Sequence, residues 1–239
     1  MTSETLPLGG ESLHYEYDVL GNRVKTISKK GTSTTKTIEH VFNQRNQLVT
    51  IKDGVSTQNW SYDDSGNLLD DGKFTYVWDV DNRLRQVNKK LDGSKVAEYW
   101  YDEADRRIRK EVSGVVTNYV YDGDGLNVLY EMNGTGSLTA YHTFNTNGQL
   151  LSRTEVVGST ETRYYYHYNA HGDVVMVTRD TDKGVNEITK SDLIVASYVY
   201  DAWGNILYQE GSFADKNPYR YAGYTYDKET GHYYLMARL

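Results

Sequence analysis

The sequence predicts an all-β protein, a tandem array of β-hairpins laid side by side in a curved antiparallel sheet. Three observations carry this. The pattern Tyr-Asp-x-x-Gly-Asn recurs along the chain, aromatic and β-branched residues alternate around each copy, and only 2 prolines interrupt 239 residues. The pattern is cleanest at Tyr17–Asn22, Tyr62–Asn67 and Tyr200–Asn205. Looser copies start at Phe42-Asn43, Trp78-Asp79, Tyr101-Asp102, Tyr121-Asp122, Phe144-Asn145, Tyr168-Asn169 and Tyr226-Asp227. About ten copies at a spacing of roughly 16 to 32 residues mark a repeat architecture.

Each unit reads as one hairpin. Tyr15-Glu16-Tyr17 leads into the first turn and Val24-Lys25-Thr26-Ile27 leaves it; Tyr119-Val120-Tyr121 and Tyr198-Val199-Tyr200 open later units in the same way. Such period-two alternation around a short turn is the signal of a β-hairpin. The third residue after the Asp or Asn is Gly21, Asn46, Gly66, Asn82, Asp105, Gly125, Gly148, Gly172 or Gly204, and in the last copy it slips by one to Gly231. All are residue types that tolerate a left-handed backbone. The opening carboxylate or amide can accept a backbone N–H two residues on. Asp18, Asp63 and Asp201 are therefore read as turn locks, with Gly21, Gly66 and Gly204 as their left-handed closures, and not as catalysts.

Composition fits a thin sheet. Tyr outnumbers Phe 23 to 4, and a tyrosine buries its ring while keeping its hydroxyl wet. The net charge of -7 argues against nucleic acid as a partner, because phosphate binding needs a basic face. The run Arg106-Arg107-Ile108-Arg109-Lys110, with Glu103, Asp105 and Glu111 nearby, reads as a solvated strand edge. With 0 cysteines, disulfides, thiolate metal sites and thiol catalysis are excluded. Met1–Gly10 lacks the basic and apolar regions of a signal peptide, so the chain is expected in the cytoplasm if made alone. No stretch is long enough to span a bilayer as an apolar helix.

No linker divides the sequence, so residues 1–239 are taken as one array, without evident capping repeats at either end. Residues 29–36 read as a polar hairpin tip and residues 179–191 as a longer polar excursion. His167 and His171 flank a turn and could meet across strands, but a metal site needs a third ligand. Asp122-Gly-Asp124-Gly125 and Asp180-Thr-Asp182-Lys-Gly184 have a calcium-loop flavour without the ligand spacing of such a loop. No cofactor is called for.

The chain resembles the YD repeats of the RHS family over essentially its whole length. The most specific part is Tyr198-Val-Tyr-Asp-Ala-Trp-Gly-Asn205 followed by Asn217-Pro-Tyr-Arg-Tyr-Ala-Gly-Tyr-Thr-Tyr-Asp-Lys-Glu-Thr-Gly-His-Tyr-Tyr-Leu-Met-Ala-Arg238. This is similar to the start of the RHS-associated core motif, and residues 217–239 are taken as an incomplete copy of it. Arg220, Tyr221, Gly223, Asp227, Gly231, Tyr233, Tyr234 and Arg238 match motif positions. The surrounding sequence most resembles wall-associated RHS proteins of Gram-positive bacteria.

The resemblance implies hairpins that spiral into a hollow, non-catalytic β-shell. In large members that shell encloses a C-terminal toxin used in intercellular competition, and such proteins are secreted or wall-associated. It also implies the chain's partners: the remainder of a shell, or its toxin cargo. The family's self-cleavage uses an aspartate pair. Asp227 matches the upstream member, but the sequence ends at Arg238-Leu239 before any downstream one. Two carboxylates sharing a proton are needed for that chemistry, so no self-cleavage is expected, and the chain reads as a truncated or orphan fragment. An array of this kind exposes sheet edges that favour self-association. The alternative is a carbohydrate or cell-wall-binding array, with Trp100, opposite in direction to Tyr99 and Tyr101, as the ring to stack on a sugar.

Overall fold

The structure is a computed structural model that describes residues 2–6, 10–180, 189 and 193–235. The described residues are almost entirely β-strand and turn, with a single 3₁₀ turn at Tyr221–Gly223. They fall into two compact units, Met1–Trp78 with Val87–Ser94, and Asp79–Gln86 with Lys95–Leu239. The sequence carries no mark of this division, because the same turn chemistry continues through it.

In the first unit, β1 (Thr2–Thr5), β2 (Glu11–Tyr17), β3 (Arg23–Lys30), β4 (Ser33–Phe42), β5 (Leu48–Lys52) and β6 (Thr57–Asn59) form an antiparallel sheet in chain order. Three short strands follow, β7 (Ser61–Tyr62), β8 (Leu68–Asp70) and β9 (Phe74–Trp78). Strands β3 and β4 pair out to Lys30 and Ser33, so the tip expected over residues 29–36 is shorter than its composition suggested. Strand β10 (Leu84–Lys89) has residues in both units.

The second unit carries β11 (Lys95–Tyr101), β12 (Arg107–Val112), β13 (Val115–Tyr121), β14 (Val128–Asn133) and β15 (Leu138–Phe144). These continue into β16 (Leu150–Val157), β17 (Thr160–Tyr168), β18 (Val174–Arg179), β19 (Ile194–Tyr200) and β20 (Ile206–Glu210). Each pairs antiparallel with the next, and β21 (Thr225–Asp227) pairs with β22 (His232–Tyr234) and bridges to Tyr219 through Thr225. The excursion expected at residues 179–191 lies mostly outside the described residues.

The repeat is visible at atomic detail. At Asp201 the carboxylate Oδ1 accepts the backbone N–H groups of Trp203 and Asn205, each at 2.9 Å, while Oδ2 accepts the Asn205 side-chain amide at 2.7 Å. Asp18 and Asp63 make the corresponding bonds to Asn22 and Asn67. Asn46, Asn82 and Asp105 hold φ near +60° in the place that Gly66 and Gly204 fill elsewhere, which accounts for the restriction to Gly, Asn and Asp. The turn after Asp122 differs. It is longer by one residue, its Asp122 N–H reaching Asn127, and the left-handed residue is Gly123 instead of the expected Gly125.

One residue before eight of the repeat turns the pairing register shifts. This happens at Glu16/Tyr17, Val41/Phe42, Ser61/Tyr62, Trp100/Tyr101, Val120/Tyr121, Thr143/Phe144, His167/Tyr168 and Val199/Tyr200. The extra residue lies on the strand that leaves the turn, as Ile108 does opposite Trp100/Tyr101. The second aromatic of the repeat reaches the preceding hairpin. Its polar hydrogen is donated to the carbonyl five residues after that hairpin's own Asp or Asn: Tyr62 to Leu48, Trp78 to Leu68, Tyr101 to Leu84, Tyr121 to Arg107, Tyr168 to Leu150 and Tyr200 to Val174, all at 2.7–2.9 Å. The preference for Tyr over Phe thus has a structural cause, a strut between neighbouring hairpins. Tyr168→Phe is expected to cost about 1–2 kcal/mol, since it leaves the carbonyl of buried Leu150 without its donor. Half-exposed Tyr130 changed to Phe should be near neutral, and urea unfolding of the two variants tests the difference.

Candidate functional site

The core of the second unit lies under its C-terminal segment. No capping repeat was evident in the sequence, but after β20 the chain turns back across one face of the sheet. Phe213 donates its N–H to the Val195 carbonyl at 2.8 Å and stacks on Tyr164 with centroids 3.8 Å apart. Tyr198 donates to the Ala214 carbonyl at 2.6 Å, and Tyr166 to the Asn217 side chain at 2.9 Å. Buried Leu150, Val174, Val177, Val195 and Ala196 complete the cluster. Residues 211–235 are therefore a cover for apolar surface that the hairpins cannot bury by themselves.

The core-motif residues build this cover. Arg220 is 2 % exposed, donates to the carbonyls of Asn217, Ala214 and Asp215 and lies 4.2 Å over the Tyr226 ring, so it ties the segment together. Tyr221 and Tyr233 donate to the carbonyls of Ala202 and Gly204 in the Asp201 turn. Ala222 donates its N–H to Asp173 at 2.8 Å, and Gly223 and Gly231 take left-handed backbone at the two bends. Arg238 lies outside the described residues.

Asp227 is the anchor. Its carboxylate meets the Arg107 guanidinium through two contacts of 2.8 Å, and Lys110 Nζ lies 2.9 Å away. Both side chains of the Arg107–Asp227 pair are 4 % exposed. Lys110 also reaches Glu229 at 3.1 Å, and Tyr234 accepts the Arg107 backbone N–H at 2.7 Å. Burial alone would raise the Asp227 pKa, but the two cations outweigh it and hold the carboxyl below its ordinary range. The carboxylate is thus held as a two-cation clamp, a latch between the C-terminal segment and β12.

The expectation of a solvated edge for Arg106–Lys110 is overturned. Arg107 is buried against Asp227, Arg106 is mostly buried and bonds Asp102 at 2.7 Å, and Ile108 and Arg109 are the members of the run that face solvent. The reading of Trp100 also changes. Its ring lies under the Arg109 guanidinium at 4.5 Å and near Arg85 at 5.6 Å, so a cation occupies the face a sugar would need. His167 lies opposite Met176 and bonds Thr178, whereas His171 bonds Asp173. The two histidines do not converge. Among the described residues no group of three or more His, Cys, Asp or Glu is placed to hold a metal, and no helix is long and apolar enough to cross a membrane.

A cleft of about 170 Å³ opens beside the latch, lined by Arg107, Lys110, Tyr119, Glu131, Arg153 and Tyr219 among others. Glu131 bonds Arg153 at 2.9 Å and His142 at 3.3 Å, and its pKa is held down mainly by Arg153 against the effect of burial. Arg107, Lys110 and Arg153 thus each face carboxylates already.

Antiparallel hairpins closed by Asp turns, strutted by tyrosines and covered by a latched C-terminal motif define a YD-repeat shell protein of the RHS type. The Teneurin YD-shell family model matches residues 4–238, and the chain belongs to that family. It is 46% identical over 230 residues to the tRNA3(Ser)-specific nuclease WapA of Bacillus spizizenii and 47% identical over 230 residues to the tRNA nuclease WapA of Bacillus subtilis. Each alignment covers 96% of this chain but only 9% of the relative. The salivary gland surface protein 1 of Aedes aegypti is 26% identical over 210 residues, covering 82% of this chain and 6% of that protein. Among solved structures, TcdB2-TccC3 aligns with a TM-score of 0.44 at 13% identity, covering 96% of this chain and 19% of that one.

Proposed function

We propose that this chain is a non-catalytic segment of an RHS-type β-shell, serving to enclose a C-terminal toxin that acts on competing cells outside the producer. The observation that carries the reading is the latched cover. Its anchor, Asp227, is neutralised by Arg107 and Lys110 and stands as a structural clamp rather than as an acid. The relatives named as tRNA nucleases share this segment over 9% of their length, so nuclease chemistry is assigned to other parts of such proteins. The partners of the segment are then further shell hairpins and the enclosed polypeptide.

The test uses the protein as its gene encodes it. Polypeptide lying beyond this segment should resist limited proteolysis in the native protein and become cleavable when Asp227→Ala frees the cover. Equal protease sensitivity of the two forms would overturn enclosure. The purified segment should leave tRNA intact.

A further inference from the structure

The cleft beside the latch has the sheet as one wall and the cover as the other. Strand register assembles the sheet wall. It sets Thr117 of β13 opposite Lys110 and Tyr119 opposite Glu131, and residues two apart on a strand share a face. The cover contributes Lys216 and Tyr219. The space of about 170 Å³ equals roughly five or six water volumes. Donors outnumber acceptors on its lining. Glu131 is the one acid among the described lining residues, and both its oxygens are taken, by Arg153 and His142. Asp227 and Glu229, which neutralise Arg107 and Lys110, lie outside the lining. The Tyr119 and Thr117 hydroxyls and the Lys216 ammonium, by contrast, make no hydrogen bond or ion pair among the described residues. Burial pushes the Tyr119 pKa up to about 12, so its phenol keeps its proton at neutral pH and donates it. Lys216 is exposed, and it is the one lining cation without a carboxylate of its own.

We propose that this cleft binds a single carboxylate, held by the Lys216 ammonium and the Tyr119 and Thr117 hydroxyls, and carried either by an acidic side chain of the native polypeptide or by a free small acid. Such a ligand brings acceptors to a surface with donors to spare. Its one negative charge matches the one unpaired cation. Hydrogen bonds to an ionised acceptor are roughly twice as strong as neutral ones. A cationic group finds no match here, because the oxygens of Glu131 are already occupied.

Occupancy has a structural consequence. Lys216 belongs to the cover and Tyr119 to the sheet, so a bound carboxylate ties the two together beside Asp227. A ligand that binds only the closed form stabilises it by mass action. The contact with exposed Lys216 is screened by salt, so added salt weakens binding.

Propionate, which carries the head of a glutamate side chain, is the probe. NMR titration of the chain at constant ionic strength should give saturable shifts of the Lys216 side chain and the Tyr119 ring, with a dissociation constant of roughly 1 mM. Ethylammonium should give none. Tyr119→Phe and Lys216→Met should each weaken binding about tenfold, the size of a hydrogen bond to a charged group, and neither change removes an internal bond. Lys52→Met, at the exposed end of β5, should leave binding unchanged. The same titration of the protein as its gene encodes it separates the two sources. Propionate binding with the same response to the variants marks a free ligand. Exclusion of propionate, together with a carbodiimide cross-link from Lys216 to an Asp or Glu of the same polypeptide, marks the protein's own carboxylate. No saturable binding to the chain, an equal response to ethylammonium, indifference to both Tyr119→Phe and Lys216→Met, or exclusion without a cross-link would each overturn the assignment.

Discussion

Asp227→Ala is expected to destabilise the second unit by about 3–5 kcal/mol, because it leaves the buried Arg107 guanidinium without its counter-charge. The size follows from the burial of both partners, each 4 % exposed, and from the two-point geometry at 2.8 Å. Lys110 retains Glu229 at 3.1 Å, so the loss falls mainly on Arg107. The paired exchange Arg107→Met with Asp227→Leu should recover most of it, since a buried ion pair replaced by apolar residues is often neutral. Urea unfolding of the single and double variants decides the matter, and a loss under about 1 kcal/mol for Asp227→Ala, the size of an exposed pair, would sink the latch. The pH dependence has a fixed sign. The folded pKa of Asp227 lies below its ordinary value of 3.8, so the stabilisation is present above that value and is lost as pH falls through the folded pKa. The cover should therefore stay shut at pH 5 and loosen only in stronger acid.

The latch shows where sequence reading stops. The turns were legible because their chemistry is local: the Asp18 carboxylate, the Leu20 and Asn22 amides it bonds and Gly21 lie within five residues. Arg107 and Lys110 were misplaced for two physical reasons. Their partner lies 120 and 117 residues away, so no local charge pattern reports it. Strand parity also misleads at this point. The register shift opposite Trp100/Tyr101 leaves Ile108 unpaired, so Arg107 and Lys110, three apart, share the face that strict alternation would deny them. Tyr101 reaches the Leu84 carbonyl of the preceding hairpin, and a periodicity that predicts strands cannot predict such struts. Their trace in the sequence is the excess of Tyr over Phe. The cover was legible only through the resemblance of residues 217–235, because a segment of 3₁₀ turn, short strands and left-handed bends has no period of its own. Gly125 failed for a simpler reason: one extra residue moves the left-handed position to Gly123.

Gly204→Val is expected to be the most costly substitution in any of the repeat turns, at about 3–4 kcal/mol. Two effects add. At φ +83° the left-handed backbone costs a side chain roughly 1–2 kcal/mol. A Cβ at this position would also stand 2.7 Å from the Tyr221 ring, and overpacking of that kind adds about 1–3 kcal/mol. Gly66 isolates the first effect. It has φ +90°, but its Cβ would meet only the flexible Gln47 amide at 3.6 Å, so Gly66→Val should cost about 1–2 kcal/mol. Ser65 and Ala202 occupy the turns at ordinary φ, and valine there should change stability by less than about 0.5 kcal/mol. The contrast separates the turn from the cover, because Tyr221 belongs to the core motif and bonds the Ala202 carbonyl of the same turn. Tyr221→Ala should cancel much of the difference between Gly204→Val and Gly66→Val by removing the ring the valine strikes. Equal melting shifts for the two glycine variants would mean that the core motif does not seat on the Asp201 turn.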